Sequence, residues 1–411
     1  MLYRNPIIPG FYPDPSVCRV GEDYYLVTSS FEYFPGVPVF HSRDLVNWEQ
    51  IGHCLTRPEQ LPLEGCRASG GIFAPTIRHH AGRFYMVVTN VTGGGHLIVD
   101  TEDPAGEWSE PHWVDTGLFG IDPSLFFDDD GTCYFTATSP LGIVQCAIDP
   151  NTGKPLDEPR KVWPGTGGAA PEAPHLYKRN GYYYIWLTRP ANGQYVLRSS
   201  SPWGPYEYRQ VLLNLPGPIS GGGVPHQGGL VQTQNGDWYY LAFVDAFPGG
   251  RVPALAPITW SWDNWPTLQT VNGTWGSSYP YPNVPRPPRA VKPMIGTDTF
   301  SGTTLAPDWE WNHNPDNSRW SVNNGLRLQT ATVTNDLYNA RNTLTRRIQG
   351  PTSTATIELD YSAMRDGDRA GLAMLRDSSA WIGVKRDNGT TRVVMTNGLT
   401  MDSNWNTTGT G

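Results

Sequence analysis

The sequence predicts an all-β protein, a five-bladed β-propeller followed by a β-sandwich, and three observations predict it. One hairpin unit occurs five times: DPSVCRVGEDYYLVTSS from Asp14, APTIRHHAGRFYMVVTN from Ala74, DPSLFFDDDGTCYFTAT from Asp122, APHLYKRNGYYYIWLTR from Ala173 and GGLVQTQNGDWYYLAFVD from Gly228. Each is a short strand, a polar turn holding a Gly, and an aromatic, β-branched strand. The copies start 60, 48, 51 and 55 residues apart, which leaves each room for two more strands, and four-stranded units at that period are propeller blades. Composition agrees: 45 Gly, 38 Pro, 20 Tyr and 16 Trp with only 17% charged residues suit a turn-rich β protein in which helix is scarce. Finally, the repeat is used up by residue 285, where the stiff, Pro-rich PNVPRPPRAVKP begins a new composition.

These observations divide the chain into a propeller at 1–285, a linker at 286–296 and a sandwich at 297–411. Residues 1–13 are Pro-rich and extended; such a strand is expected to join the last blade and close the ring, removing open edges. The loop over 29–48 carries Phe31, Tyr33 and Phe34 ahead of a Pro-Gly turn. A turn has no core of its own to bury them, so they form either a ligand-facing wall or a contact with the next blade. DLVNWEQIG, DPAGEWSEP and SPWGPYEYRQV are expected as turns between outer strands, with Trp48, Trp108 and Trp203 filling the gaps between blades. DDDG at 128–131 reads as a hairpin turn. In the last region TATIELDYSA, AGLAML and AWIGVKRD alternate as strands do. An unpaired sheet edge or an incomplete domain is expected in that region.

A formal charge of −8 without a basic run argues against nucleic acid or an anionic membrane as partner, because either needs a clustered cationic face. No stretch approaches the length of a membrane span. Cys18, Cys54, Cys66, Cys133 and Cys146 show no C-x-x-C spacing; they are expected as buried free thiols, and their odd number favours a reducing compartment. With no visible secretory signal, the expected location is cytoplasmic. Sequons at Asn90, Asn272, Asn388 and Asn406 point weakly to the alternative, secretion.

The chemistry lies in what differs between the copies. The units of blades one and three open with Asp-Pro-Ser at Asp14 and Asp122, whereas blade four has Ala-Pro there and a carboxylate just before it, Glu172. If the first strand of each blade lines the central channel, all three acids converge at one mouth. Like charges raise one another's pKa, so such a cluster can hold one protonated and one ionised carboxyl near neutral pH. Glycoside hydrolysis needs that pair. A non-catalytic sugar-binding propeller would need aromatic walls but no acids.

FYPDPS with Asp14, GIFAPTI around Phe73, GIDPSLFFDDDG with Asp122 and APEAPHLYK with Glu172 resemble the motifs of glycoside hydrolase family 43, five-bladed inverting β-xylosidases and α-L-arabinofuranosidases. The resemblance implies Asp14 as general base, Glu172 as general acid, and Asp122 as the residue that holds and tunes the acid. It also implies that the last region is a concanavalin-like sandwich. The retaining fructosidase-like propellers are the alternative, but their Arg-Asp-Pro signal is approached only by Arg43-Asp44-Leu45. The first half resembles the β-xylosidase and bifunctional branch; from about Ile185 onward the chain is more similar to the branch that removes arabinofuranose from arabinoxylan.

Phe31, Phe73 and Arg251 are the expected substrate-binding residues. His226 is a candidate ligand, through water, of a structural Ca²⁺ in the channel; the chemistry itself requires no cofactor. Loops at 29–40 and 65–73 should wall the mouth into a pocket, which favours removal of one terminal pentose from arabinoxylan or xylo-oligosaccharides. Arabinofuranose and xylopyranose differ too little for the sequence to rank them.

Overall fold

A computed structural model describes residues 1–168, 170–189, 192–246, 248–285 and 290–411. Residues 286–289 of the expected linker lie outside the described residues. Five antiparallel sheets carry the repeat. Blade one is Ser16–Val20, Asp23–Val27, Gly36–Ser42 and Glu49–Leu55; blade two is Thr76–His80, Arg83–Asn90, Gly95–Thr101 and His112–Val114. Blade three is built on Ile121–Phe127, Cys133–Ser139, Gly142–Asp149 and Arg160–Trp163, with a short extra strand at Lys154–Pro155. Blade four is Glu172–Arg179, Tyr182–Arg189, Gly193–Ser199 and Glu207–Leu213; blade five is His226–Gln232, Trp238–Ala246, Gly250–Trp260 and Pro266–Leu268. Helix among the described residues amounts to two single 3₁₀ turns, Asn317–Arg319 and Leu337–Asn339. None is long and apolar enough to cross a membrane.

Aromatic side chains fill the seams between blades, because each blade buries both faces and needs volume there. Trp186 of blade four packs edge-on against Tyr240 of blade five, with ring centroids 4.9 Å apart, and Trp275 lies 5.4 Å from Tyr240 on its other side. The expected seam residues behave alike. Trp48 and Trp108 are buried, and half-buried Trp203 packs edge-on against Tyr134 of blade three. Asp128 to Gly131 forms the hairpin turn of blade three, closed by the Asp128 N–H to the Thr132 carbonyl at 2.8 Å. All five cysteines are free thiols, four of them buried and Cys66 half-buried.

Ring closure differs from the expectation. Leu2–Arg4 pairs with Ser278–Pro280 in a separate two-stranded ribbon rather than joining blade five. The segment after it covers that blade's outer edge instead: Ile7 N–H donates to the Pro253 carbonyl and Tyr12 N–H to the Arg251 carbonyl, both at 3.0 Å. The Asn5 amide exchanges bonds with both backbone groups of Leu255. Pro6 and Pro9 lack N–H groups, so the segment cannot form a full ladder and makes these separate contacts.

The second domain carries one four-stranded sheet, Arg369–Met374, Ser378–Asp387, Thr390–Met401 and Thr407–Thr410. AGLAML and AWIGVKRD fall on its first two strands. TATIELDYSA, at 354–363, does not form a strand: the residues are extended and mostly exposed, with no ladder. A strand needs a neighbour to satisfy its backbone groups, and the segment has none among the described residues. Correspondingly, Ile382, Val393 and Met395 on one face of the sheet are exposed. The two domains are joined through a three-stranded sheet in which Glu310–Asn312 pairs on one side with Leu344–Thr345 and on the other with Tyr33–Phe34 of the aromatic loop.

Candidate active site

The first strands of the blades begin with an unusual backbone. Asp14, Asp122, Ala173 and Gln227, at corresponding positions of blades one, three, four and five, all have left-handed φ between 53° and 58°. In blades three, four and five the ladder shifts register at that point, between Ile121 and Ser124, Glu172 and His175, and His226 and Gly229. Such bulges cost energy in non-glycine residues and re-aim the side chains beside them. The Pro that follows in three of the four copies removes an N–H the broken ladder could not use.

Neighbouring blades are tied together at this level by hydroxyls. Ile77 N–H donates to Ser16 Oγ at 3.1 Å, Thr76 Oγ1 donates to the Pro123 carbonyl at 2.9 Å, and Thr138 Oγ1 to the Pro171 carbonyl at 3.0 Å. Gln227 N–H donates to Thr188 Oγ1 at 2.7 Å, and Thr188 stands opposite Glu172 in the ladder. Each link holds the strand start of the next blade, and two of them grip the residue adjoining Asp122 or Glu172.

Asp14, Asp122 and Glu172 come together as expected, close enough that each is felt by at least one other. Asp14 and Asp122 are buried and Glu172 is half-buried. Burial pushes the Asp122 carboxyl well above its usual range, and the charges of Asp14 and Glu172 add to that; hydrogen bonds from the Ala173 and Ala74 N–H groups work against it. Glu172 is raised by burial and then by Asp14, with Arg251 opposing. Asp14 is raised by burial but favoured as the anion by Arg251, by the Ser29 hydroxyl and by His226. Ser29 Oγ donates to Asp14 Oδ2, whereas buried Oδ1 has no hydrogen-bond partner among the described residues. One oxygen is therefore fixed and the other is free to accept.

Arg251 lies 4.8 Å over the Phe243 ring and 3.6 Å from an Asp245 oxygen, within electrostatic reach of both Asp14 and Glu172. His226 packs on the same Phe243 ring and hydrogen-bonds the Val224 carbonyl through Nδ1 at 2.7 Å. Burial pushes its pKa down, while the Val224 carbonyl and the Asp245 and Asp14 charges work against that. A Ca²⁺ takes six to eight oxygen ligands, so His226 would meet one only through water; among the described residues no three His, Cys, Asp or Glu side chains converge as a metal site.

The aromatic wall consists of three rings. Phe31 and Phe73 pack edge-on at 6.0 Å, and Phe11 stacks on Phe31 at 5.9 Å; all three are half-buried. The wall is pinned by two bonds between Phe31 and Ile72, and a Cβ on Gly71 would lie 2.3 Å from the Phe31 carbonyl oxygen, so only glycine fits there. Within the aromatic loop Phe31 bridges to Ile72, while Phe34 is buried and Tyr33–Phe34 pairs with the second domain rather than with the next blade. A cavity of about 290 Å³ opens behind that loop, lined by Glu32, His313, Tyr338, Arg376 and Trp405 among others, and contains none of the three acids.

Ser29, Phe11 and the hydroxyl ring were not identified from the sequence. A signal for Ser29 existed. Ser16 pairs with Val27 in the first hairpin, and continuing that antiparallel register by two residues sets Asp14 opposite Ser29.

Residues 3–266 match the glycosyl hydrolases family 43, and residues 297–405 match the beta xylosidase C-terminal concanavalin A-like domain. A non-reducing end α-L-arabinofuranosidase of Bacteroides ovatus is 40% identical over 91% of this chain and 74% of its own length. A xylosidase/arabinosidase of Butyrivibrio fibrisolvens is 42% identical over 65% of this chain, which spans 56% of that relative. Among solved structures, a family 43 glycoside hydrolase engineered to display both endo-xylanase and exo-arabinofuranosidase activity superposes with a TM-score of 0.90 at 36% identity, covering 100% of this chain and 82% of the other.

Proposed function

Because this chain belongs to glycosyl hydrolase family 43, we propose that its propeller mouth is an inverting, exo-acting site that releases terminal α-L-arabinofuranosyl or β-D-xylopyranosyl residues from arabinoxylan or xylo-oligosaccharides. The chain is a glycoside hydrolase of the xylosidase and arabinofuranosidase kind, which sets aside a purely sugar-binding propeller. The observation that carries the mechanism is the unequal treatment of buried Asp14 and half-buried Glu172 at one mouth. Glu172 is raised with only Arg251 opposing, which suits a carboxylic acid that still holds its proton near neutral pH. Asp14 has a cation and a hydroxyl donor favouring its anion, with Oδ1 free.

In the reaction Glu172 donates its proton to the glycosidic oxygen as the bond to the anomeric carbon breaks. Asp14 takes a proton from a water that attacks the same carbon from the opposite face. The sugar leaves with inverted configuration, and the two carboxyls exchange protonation states. Asp122 transfers no proton in this scheme; held by Ala74 and Ala173 N–H groups, it fixes the turn that carries Glu172 and keeps that acid protonated. Arg251 contributes charge to both acids, and Phe31 and Phe73 supply the apolar wall for the sugar face. The buried free thiols support a cytoplasmic location.

The test is proton NMR of the first-formed sugar from 4-nitrophenyl α-L-arabinofuranoside and β-D-xylopyranoside. Inverted product supports the scheme; a product that retains the substrate's configuration would make one carboxylate a nucleophile instead.

A further inference from the structure

Among the contacts that the second domain makes near the mouth is a buried cation, Arg347. Its guanidinium donates twice to Glu310, Nε to Oε2 and Nη2 to Oε1, both at 3.0 Å. Glu310 also accepts from His53 Nε2 of blade one at 2.9 Å. The remaining Nη1 donates at 2.5 Å to the carbonyl oxygen of Phe11, 336 positions earlier in the chain. The guanidinium also lies 4.6 Å over the Tyr12 ring and 6.0 Å from that of Phe11.

That carbonyl belongs to an informative peptide group. Its N–H, on Tyr12, donates to the Arg251 carbonyl at 3.0 Å, so the Phe11–Tyr12 peptide is held from the second domain on one side and from blade five on the other. Phe11 carries the stacked ring of the aromatic wall. Two residues beyond Tyr12 stands Asp14, and between them the Pro13 carbonyl accepts from Ser29 N–H at 3.1 Å, the same Ser29 that fixes Asp14. Most of Arg347 is buried, with 9% of the side chain exposed. A buried guanidinium with a bidentate carboxylate is rigid, because its planar fork fixes the direction of the remaining donors.

We propose that Arg347 is a positioning residue of the active site, through which the second domain sets the Phe11 ring of the sugar wall and the segment that aims Asp14. It touches no reacting atom, and the proposal rests on the assignment of Asp14 as general base. The Glu310 carboxylate is the anchor that keeps the fork in register; His53 ties that anchor to blade one.

The experiment uses the full chain with Arg347→Met and Arg347→Lys, assayed on both nitrophenyl pentosides, with hydrogen exchange followed at individual amides. Small misplacements of catalytic groups cost up to about 10²-fold, so Arg347→Met is expected to lower kcat/KM by about 10- to 100-fold, mainly in kcat. Exchange should quicken at the Tyr12 and Phe31 amides while Cys133–Ser139 in blade three is unchanged. Arg347→Lys keeps the charge but not the fork, and should recover part of the loss; it also serves if the Met variant does not fold. A kcat/KM within twofold of wild type in both variants overturns the proposal, as does exchange that quickens evenly along the chain. If the wild-type protein itself turned over neither pentoside, the assignment of Asp14 would fail separately, and the exchange pattern alone would decide whether Arg347 organises the mouth.

Discussion

At the propeller mouth, burial raises the carboxyls of Asp14, Asp122 and Glu172 above their usual range. At the domain interface Glu310 is as deeply buried, and burial pushes it up as well, yet Arg347 and His53 outweigh that and bring it down to about 2. Asp14 and Asp122 are buried as Glu310 is, and Glu172 is half-buried; what separates the regions is the ratio of acids to cations. Three carboxyls share one half-exposed arginine at the mouth, whereas one carboxylate has a bidentate, buried arginine and a histidine at the interface. Under-compensated acids make protons available for chemistry, and fully paired ones hold domains together.

The sharpest way to break this comparison is to remove one acid from each region. Glu172→Ala should lower turnover of unactivated xylo-oligosaccharides by about 10²–10⁴, the range for a general acid, without loss of thermal stability. Glu310→Ala should differ in destabilising the protein, by about 3–5 kcal/mol in chemical denaturation, because it strands a buried guanidinium. If Glu310→Ala unfolds at the wild-type denaturant midpoint, the interface reading is wrong.

The same contrast fixes two pH dependences of opposite sign. A carboxyl raised in the folded state favours folding at low pH and opposes it once pH passes its folded value. Glu172→Gln should therefore stabilise the protein near neutral pH, by about 0.5–2 kcal/mol, with the gain fading as pH falls into the ordinary carboxylate range. Glu310 is lowered from 4.5 to about 2, so its contribution is full above about pH 4.5 and is lost as pH falls from there toward 2. Thermal melts of Glu172→Gln, Glu310→Gln and wild type across that window check both signs. The smallest effect belongs to the exposed Arg43–Glu22 pair, 2.6 Å apart. Glu22→Ala should change stability by no more than about 1 kcal/mol, and a larger loss would mean that an exposed pair is worth as much as the buried one at the interface.

The two regions also differ in how far they could be read from the sequence. The mouth was legible because the repeat marks it: Asp14 and Asp122 occupy the same position of a unit seen five times, and Glu172 precedes that position in another copy. Resemblance then supplied the roles. The interface was not legible, since Glu310 finds His53 across 257 positions and Arg347 finds Phe11 across 336, and no periodicity records such pairings. The same limit hid the hydroxyl ring of Ser16, Thr76, Thr138 and Thr188. The strand expected at 354–363 fails for a related reason: alternation reports a side-chain pattern, but a strand also requires a neighbour. His226, by contrast, could be placed near the channel from its position in the repeat, while the lowering of its pKa comes from burial, against the pull of the Val224 carbonyl.

The central claim is that Glu172 holds its proton because the mouth is short of positive charge. The pH profile of kcat/KM on a nitrophenyl pentoside tests this most directly, measured in wild type and in Glu172→Ala. An activated leaving group needs little protonation, so the variant keeps measurable turnover. The account predicts a bell for the wild type whose descending limb lies above the ordinary glutamate range, and a variant profile from which that limb has gone. A descending limb that stays in place after Glu172 is removed would contradict it.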